Sequence, residues 1–269
     1  MSVTSKTPAA IIPSATILLL RDGADGLEVF MVVRHHQIDF ASGALVFPGG
    51  KADPNDFDPR LRSLTVGGAE DDNMHAIEVS GIREAFEECG VLLARDTADA
   101  NGPLISGAAL APLDSAREPL NSGALNLTTF LETHSLTLAA DQLVHFAHWI
   151  TPEMMPKRFD THFYLATAPA DQLAIHDGYE SVDSVWIKPA QAVAEAQSGA
   201  RTIIFPTLRN LEKLARFETV AQALATTRAE LVVTVLPWTE QRDNGTYLCI
   251  PENAGYDHCE EKMPDRKPA

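Results

Sequence analysis

Arg83-Glu84-Ala85-Phe86-Glu87-Glu88-Cys89-Gly90-Val91 is the stretch on which the reading of this chain turns. In a helix, residues three and four apart share a face, so Glu84, Glu87 and Glu88 project together. Left alone, three carboxylates repel one another and raise each other's pKa values. A hard divalent cation such as Mg²⁺ or Mn²⁺ relieves that repulsion, because it prefers oxygen ligands. Arg83 lies one helical turn before Glu87 and can orient a carboxylate through a charge-assisted bond. The alternative is a solvated acidic helix face. Two features weigh against it: the acids run into Gly90, where a left-handed cap is expected, and a Pro48-Gly49-Gly50 turn lies upstream.

Working outward, residues 74–93 have helical periodicity, with Ile77, Ile82, Ala85, Phe86 and Val91 on one broad face. Before the helix, the apolar runs 15–20 and 27–34 flank the turn-rich Arg21–Gly26 and read as a hairpin. Residues 44–47 form a further short run, and 51–73 read as loop with at most a short helix. After the helix, 97–140 read as helical pieces forming an insertion or lid. Strands are expected at 143–150, 161–168, 184–187 and 232–235, and helices at 189–198 and 206–217. Beyond Pro237 the chain is polar and turn-rich, either a packed extension or a tail. Strands and helices interleave without a regular βαβ period, which argues for an α/β (α+β) domain with a mixed sheet rather than a doubly wound parallel one.

Lysine and arginine number 21 against 37 acids, a formal charge of −16 with a pI near 4.9. Such a chain repels polyanions, which argues against nucleic-acid binding. A small phosphorylated ligand would need bound cations or a local basic patch. Three cysteines without a CxxC pair fit a reducing compartment. The apolar run 17–20 is far too short for a membrane span. A soluble, cytoplasmic protein with no membrane partner is expected, and a homodimer stays an open alternative.

The same residues resemble the Nudix hydrolases, whose box reads G-x5-E-x7-R-E-U-x-E-E-x-G-U with U aliphatic. Residues 83–91 match every fixed position of its second half, with Ala85 a small stand-in for the aliphatic residue. Phe47-Pro48-Gly49-Gly50-Lys51 resembles the usual opening. Arg83 follows Gly50 by 33 positions where the box allows 14, an excess of 19. Spacing therefore leaves the isolated mid-box glutamate unassigned among Asp56, His75 and Glu78. Loop entropy makes such an insertion inexpensive. The interrupted box resembles the branch of peroxisomal and mitochondrial coenzyme A diphosphatases. Trp149-Ile150-Thr151-Pro152, Lys157 to Tyr164, and Ser184-Val185-Trp186-Ile187 extend the similarity, and Val32 to Phe47 weakly echoes a coenzyme A signature.

The resemblance covers roughly residues 13–217. It implies a Nudix-type mixed sheet sandwiched between helices over 10–225, with inserts at about 52–73 and 97–140, then an extension at 226–269. It implies metal-dependent hydrolysis of a diphosphate bond in a small nucleoside diphosphate derivative. Coenzyme A or acyl-coenzyme A leads, yielding 3′,5′-ADP and a 4′-phosphopantetheine product. ADP-ribose, NADH or a dinucleotide is the alternative, and a non-catalytic ligand-binding module the further one. Glu87, Glu88 and the Gly49 carbonyl would hold Mg²⁺ or Mn²⁺. Glu84 would be a ligand or the group that takes the water's proton, and Arg83 would fix the helix to the preceding loop.

Arg34 and Arg158 are candidates for the substrate phosphates. Glu180 is a weaker candidate for an extra ligand or base, and a surface acid is the simpler reading. His35-His36 has no third ligand at zinc-finger spacing. His145 and His148 are three apart on an expected strand and should face opposite sides. Cys89 reads as a packing thiol. The segment 97–140 is apolar enough to contact a pantetheine or acyl arm.

Overall fold

The expected hairpin forms from β1 (Ile11–Gly23) and β2 (Gly26–Arg34), closed by Ala24-Asp25 with Gly26 at φ 117°. The computed structural model describes residues 9–34, 43–172, 174, 176 and 181–263. Two short strands follow, β3 (Leu45–Val46) on β2 and β4 (Gly49–Lys51) antiparallel to β1. Two 3-10 turns, at Pro54–Phe57 and Pro59–Arg62, and β5 (Thr65–Val66) lead to α1 (Asp72–Cys89). Then come β6 (Ala94–Asp96), α2 (Gly107–Leu110), α3 (Arg117–Asn121), α4 (Leu127–His134) and β7 (Leu136–Ala139).

Next are β8 (Val144–Ile150), β9 (Arg158–Thr167) and β10 (Ser181–Ile187). The chain continues through α5 (Pro189–Gln197), α6 (Phe205–Leu214), α7 (Val220–Ala229) and β11 (Thr234–Val235). A three-stranded antiparallel sheet of β12 (Trp238–Arg242), β13 (Gly245–Cys249) and β14 (Glu260–Lys262) completes the order.

The main sheet runs β10-β2-β1-β9-β8-β11, with β3 and β4 attached to β2 and β1. It is mixed: β1 and β9 are parallel, as are β8 and β11, and its other pairs are antiparallel. Alternation along β1 splits the core in two, as the period of a strand dictates. Ile17 and Leu19 face the α1 side, with Phe30, Val32, Ile82 and Phe86. Leu18 and Leu20 face α6 and α7, with Leu211, Leu214 and Val220. The expected mixed sheet between helical layers is therefore present.

α1 starts at Asp71, whose side chain accepts from the Met74 N–H, satisfying an otherwise orphaned donor. It stops four residues earlier than the periodicity predicts. Gly90 adopts φ 68° and its N–H reaches the Phe86 carbonyl, so the left-handed cap ends the helix there. Gly81 lets α1 settle on β1, since a Cβ there would lie 3.2 Å from the Ala15 methyl.

The structure sharpens some expectations and corrects others. The 97–140 segment forms helical pieces, as expected, and they pack: Leu110, Leu120, Leu127, Phe130 and Leu131 join the α1-side core, and the Phe130 ring stacks on Phe86. The helix α7 is absent from the sequence reading, because its apolar pattern is weak. Of the two alternatives for the chain beyond Pro237, the packed extension is seen over the described residues to 263, with Ile250, Ala254 and Tyr256 buried in the second core.

His145 and His148 do not face opposite sides. The β8–β9 register shifts between His145 and Ala147, and Phe146 and Ala147 are both buried. A bulge adds one residue on that strand and re-aims the side chains beyond it, so both imidazoles reach His162. Among the described residues, no helix is long and apolar enough to cross a membrane.

Candidate active site

Gly49 and Gly50 set the backbone of the site. In β4 they pair with Thr16 and Ala15 of β1. Gly49 has φ 151°, and a Cβ there would meet the Ala15 carbonyl at 2.3 Å. A Cβ on Gly50 would lie 2.6 Å from the Glu84 carboxyl atoms. Two glycines thus allow the strand to touch both β1 and the acidic turn of α1.

Against this strand sit the three glutamates. The Gly49 N–H donates to Glu88 Oε2 at 2.9 Å. Arg83 Nη1 lies 2.9 Å from Glu84 Oε1 and 3.0 Å from Glu87 Oε2. Glu87 and Glu88 are buried, only 4% and 7% exposed, so a solvated acidic face is excluded. Glu87 Oε1 is buried without a hydrogen-bond partner. Burial pushes the Glu87 carboxyl up to about 7, with Arg83 opposing and Glu84 adding to the rise. Crowded buried carboxylates with one oxygen unmet are what a hard divalent cation satisfies, and its charge would return Glu87 to the ionised form. The residues fit such an ion.

Arg83 ties the helix to the loop before it. Its Nε and Nη2 donate to Asp56 Oδ1 and Oδ2 at 2.9 and 3.0 Å, and Nη2 also reaches the Lys51 carbonyl at 3.1 Å. Asp56 in turn accepts from the Asp53 N–H at 2.7 Å, within the capping box of the first 3-10 turn. Burial opposes the guanidinium charge, but Glu84, Asp56 and Glu87 together raise its pKa above the ordinary value. Burial likewise raises the Asp56 carboxyl, with the Arg83 bonds holding it back.

Of the three groups that spacing left open, Asp56 is the one bonded to Arg83. Asp56 is six residues after Gly50, the mid-box position, so the extra residues lie between it and Arg83. Glu78 accepts instead from the Ala69 N–H at 2.7 Å, closing the Gly67-Gly68 turn, and His75 is buried beside that turn. The sequence carried the signal for Asp56, a carboxylate at the right offset from Gly50. A shorter side chain and an interrupted spacing obscured it.

Arg34 ends β2 opposite Ser181 of β10. Arg158 is buried at the start of β9, where its Nε donates to the Thr151 carbonyl at 3.0 Å and holds the 151–158 turn. Among the described residues, neither is bonded to the glutamates. Cys89 is fully buried in the core, as a packing thiol should be. The insert contributes a support: Arg117 Nε of α3 donates to the Glu87 carbonyl at 3.1 Å. His35, His36 and Glu180 lie outside the described residues.

Comparison with known proteins points to one family. Residues 65–214 match the family model described as the NUDT19 Nudix domain. The chain is 28% identical over 191 residues to the putative nudix hydrolase 7 of Caenorhabditis elegans, covering 70% of this chain and 56% of that protein. It is 28% identical over 152 residues to the human acyl-coenzyme A diphosphatase NUDT19, covering 54% of this chain and 40% of that protein. The chain thus spans about half the length of these relatives. A crystal structure of a Nudix hydrolase from Alicyclobacillus acidocaldarius superposes with a TM-score of 0.67 at 29% identity, over 81% of this chain and 96% of that one.

Proposed function

Because the chain belongs to the Nudix hydrolases, in the family of the NUDT19 Nudix domain, we propose that it cleaves the diphosphate of coenzyme A or acyl-coenzyme A. The products are 3′,5′-ADP and 4′-phosphopantetheine or its acyl form. The observation that carries the hydrolytic reading is the group of buried Glu87 and Glu88 with half-buried Glu84 against β4, with Glu87 Oε1 unmet. A pure ligand-binding module has no need of three crowded carboxylates. The choice of coenzyme A rests on the likeness to a relative named as an acyl-coenzyme A diphosphatase.

Glu84, Glu87, Glu88 and the Gly49 carbonyl would hold Mg²⁺ or Mn²⁺. Bound there, the cation would lower the pKa of water and offset charge on the phosphates. The reaction adds a water oxygen to one phosphorus and breaks its bond to the bridging oxygen, which leaves with the other phosphate. Glu84 borders the strand at Gly50 and serves either as a ligand or as the carboxylate that takes the water's proton. Arg83 and Asp56 position the helix carrying these groups and touch no reacting atom. Arg34 and Arg158 are the proposed phosphate-facing cations, Arg158 through its terminal nitrogens, since Nε holds Thr151.

The test is a mass-spectrometric product screen with coenzyme A, acetyl-coenzyme A, ADP-ribose and NADH, each with Mg²⁺ or Mn²⁺. Release of 3′,5′-ADP from the coenzyme A compounds is expected. Cleavage of ADP-ribose or NADH with coenzyme A untouched would overturn the substrate assignment.

A further inference from the structure

A second group of donors lies along the same row of the sheet. Gly50 pairs with Ala15, Ala15 with His162, His162 with His148, and His148 with Thr234, across β4, β1, β9, β8 and β11. With neighbouring strands about 4.8 Å apart, His162 stands roughly 10 Å from Gly50 along this row.

The ligand atoms of His148, Asp160 and His162 all lie within 4.8 Å of one another. His148 Nε2 bonds Asp160 Oδ1, and His162 Nε2 is 3.8 Å from the same oxygen. The far nitrogen of each ring is also held. His148 Nδ1 meets the Thr234 hydroxyl at 2.8 Å, and His162 Nδ1 meets His145 Nε2 at 3.1 Å. A metal-bound imidazole needs one nitrogen aimed at the ion and a partner on the other that fixes ring and tautomer. Both rings have a partner of that kind: the Thr234 oxygen and His145 Nε2 can each accept an Nδ1 proton, leaving both Nε2 atoms available as ligands beside Asp160.

A plain His–Asp pair accounts for His148 and Asp160 alone. It does not explain a second imidazole stacked on the first at 4.0 Å, with its Nε2 3.8 Å from the same oxygen and its own partner behind it. Nor does it explain the bulge that brings His145 round to be that partner. The His162 side chain is 7% exposed and Asp160 32%, so the group is seated in protein yet open to solvent at the carboxylate.

We propose that His148, Asp160 and His162 bind a divalent transition-metal ion of the Zn²⁺ class, at a site separate from the glutamates. Two imidazoles and a carboxylate suit Zn²⁺, Co²⁺ or Ni²⁺, whereas carboxylates and a carbonyl suit Mg²⁺ or Mn²⁺, so the two sites sort ions by donor type. The ion replaces the proton between His148 Nε2 and Asp160. It cross-links β8 to β9 and, through Thr234, steadies β11, which has only two paired residues on β8.

Zn²⁺ titration by calorimetry tests this on the full chain after chelation and dialysis, with excess Mg²⁺ present. One Zn²⁺ per chain is expected for the wild type and equally for Glu88→Gln, with affinity lost at least tenfold in His148→Gln and in His162→Gln. Thr234→Val leaves every ligand in place and should still weaken binding about tenfold, the scale on which such orienting partners act. That variant keeps the test valid if a histidine variant misfolds. Absence of a Zn²⁺ site in the wild type, loss of it in Glu88→Gln, or unchanged affinity in folded His148, His162 and Thr234 variants would each overturn the proposal.

Discussion

Replacing Asp56 by alanine strips the Arg83 guanidinium of two bonds at 2.9 and 3.0 Å and the Asp53 N–H of its acceptor at 2.7 Å. The Asp56 side chain is fully buried and that of Arg83 is 10% exposed, so water cannot easily substitute. Removing one partner of a buried ion pair costs about 3–5 kcal/mol. Arg83 keeps Glu84 and Glu87, which places the expected loss near the lower end, about 3 kcal/mol. For a chain of this size that is a fall in Tm of roughly 6–12 °C. Urea unfolding should show it, and a double-mutant cycle with Arg83→Met should give a coupling of at least about 2 kcal/mol. Glu78→Ala is the comparison: it loses the Ala69 N–H bond, roughly 1–2 kcal/mol, and should not couple to Arg83. Coupling of Arg83 to Glu78 rather than Asp56, or an Asp56→Ala cost below about 1 kcal/mol, would refute the assignment of Asp56 as the mid-box acid.

Further outcomes concern the glutamates and the glycines. Glu87 has its folded pKa raised from 4.5 to about 7, so the native state binds the extra proton between those values. Without divalent ions, stability is therefore fully present below about pH 4.5 and falls as pH rises through about 7. Urea unfolding in EDTA should show a wild-type loss of roughly 2–3 kcal/mol relative to Glu87→Gln across that window, and parallel curves would exclude the shift. Gly50→Ala should displace the Glu84 carboxyl and lower kcat/KM with a modest fall in Tm. Gly49→Ala meets backbone and should cost about 1–3 kcal/mol or more. Equal stability of the two variants in thermal melts would argue against the close approach of β4 to β1.

Much of the architecture was legible because its signals are local. The runs before and after Arg21–Gly26 gave the hairpin, and the spacing of Glu84, Glu87 and Glu88 gave the acidic face. Gly90 gave the cap. The features that sequence could not give depend on partners distant along the chain. Glu88 bonds to β4, and the insert packs on the same helix, where Phe130 stacks on Phe86 and Arg117 holds the Glu87 carbonyl. The same limit hid the role of Asp56, whose partner lies 27 residues away. Strict alternation misplaced His145 and His148, because a bulge is set by register with β9 and not by the strand's own residues. The helix α7 carries too weak an apolar stripe to be read without the sheet it covers.

The central claim is that Glu84, Glu87 and Glu88 hold the ion that cleaves a diphosphate. Glu88→Gln tests it most directly, since the amide oxygen can still accept from the Gly49 N–H while the charge is gone. With saturating Mg²⁺ and coenzyme A, kcat/KM should fall by about 10² or more, the scale of the several kcal/mol that a bound ion contributes. The thermal melt should stay close to that of the wild type. Coenzyme A turnover within a few-fold of wild type by folded Glu88→Gln protein would contradict the account.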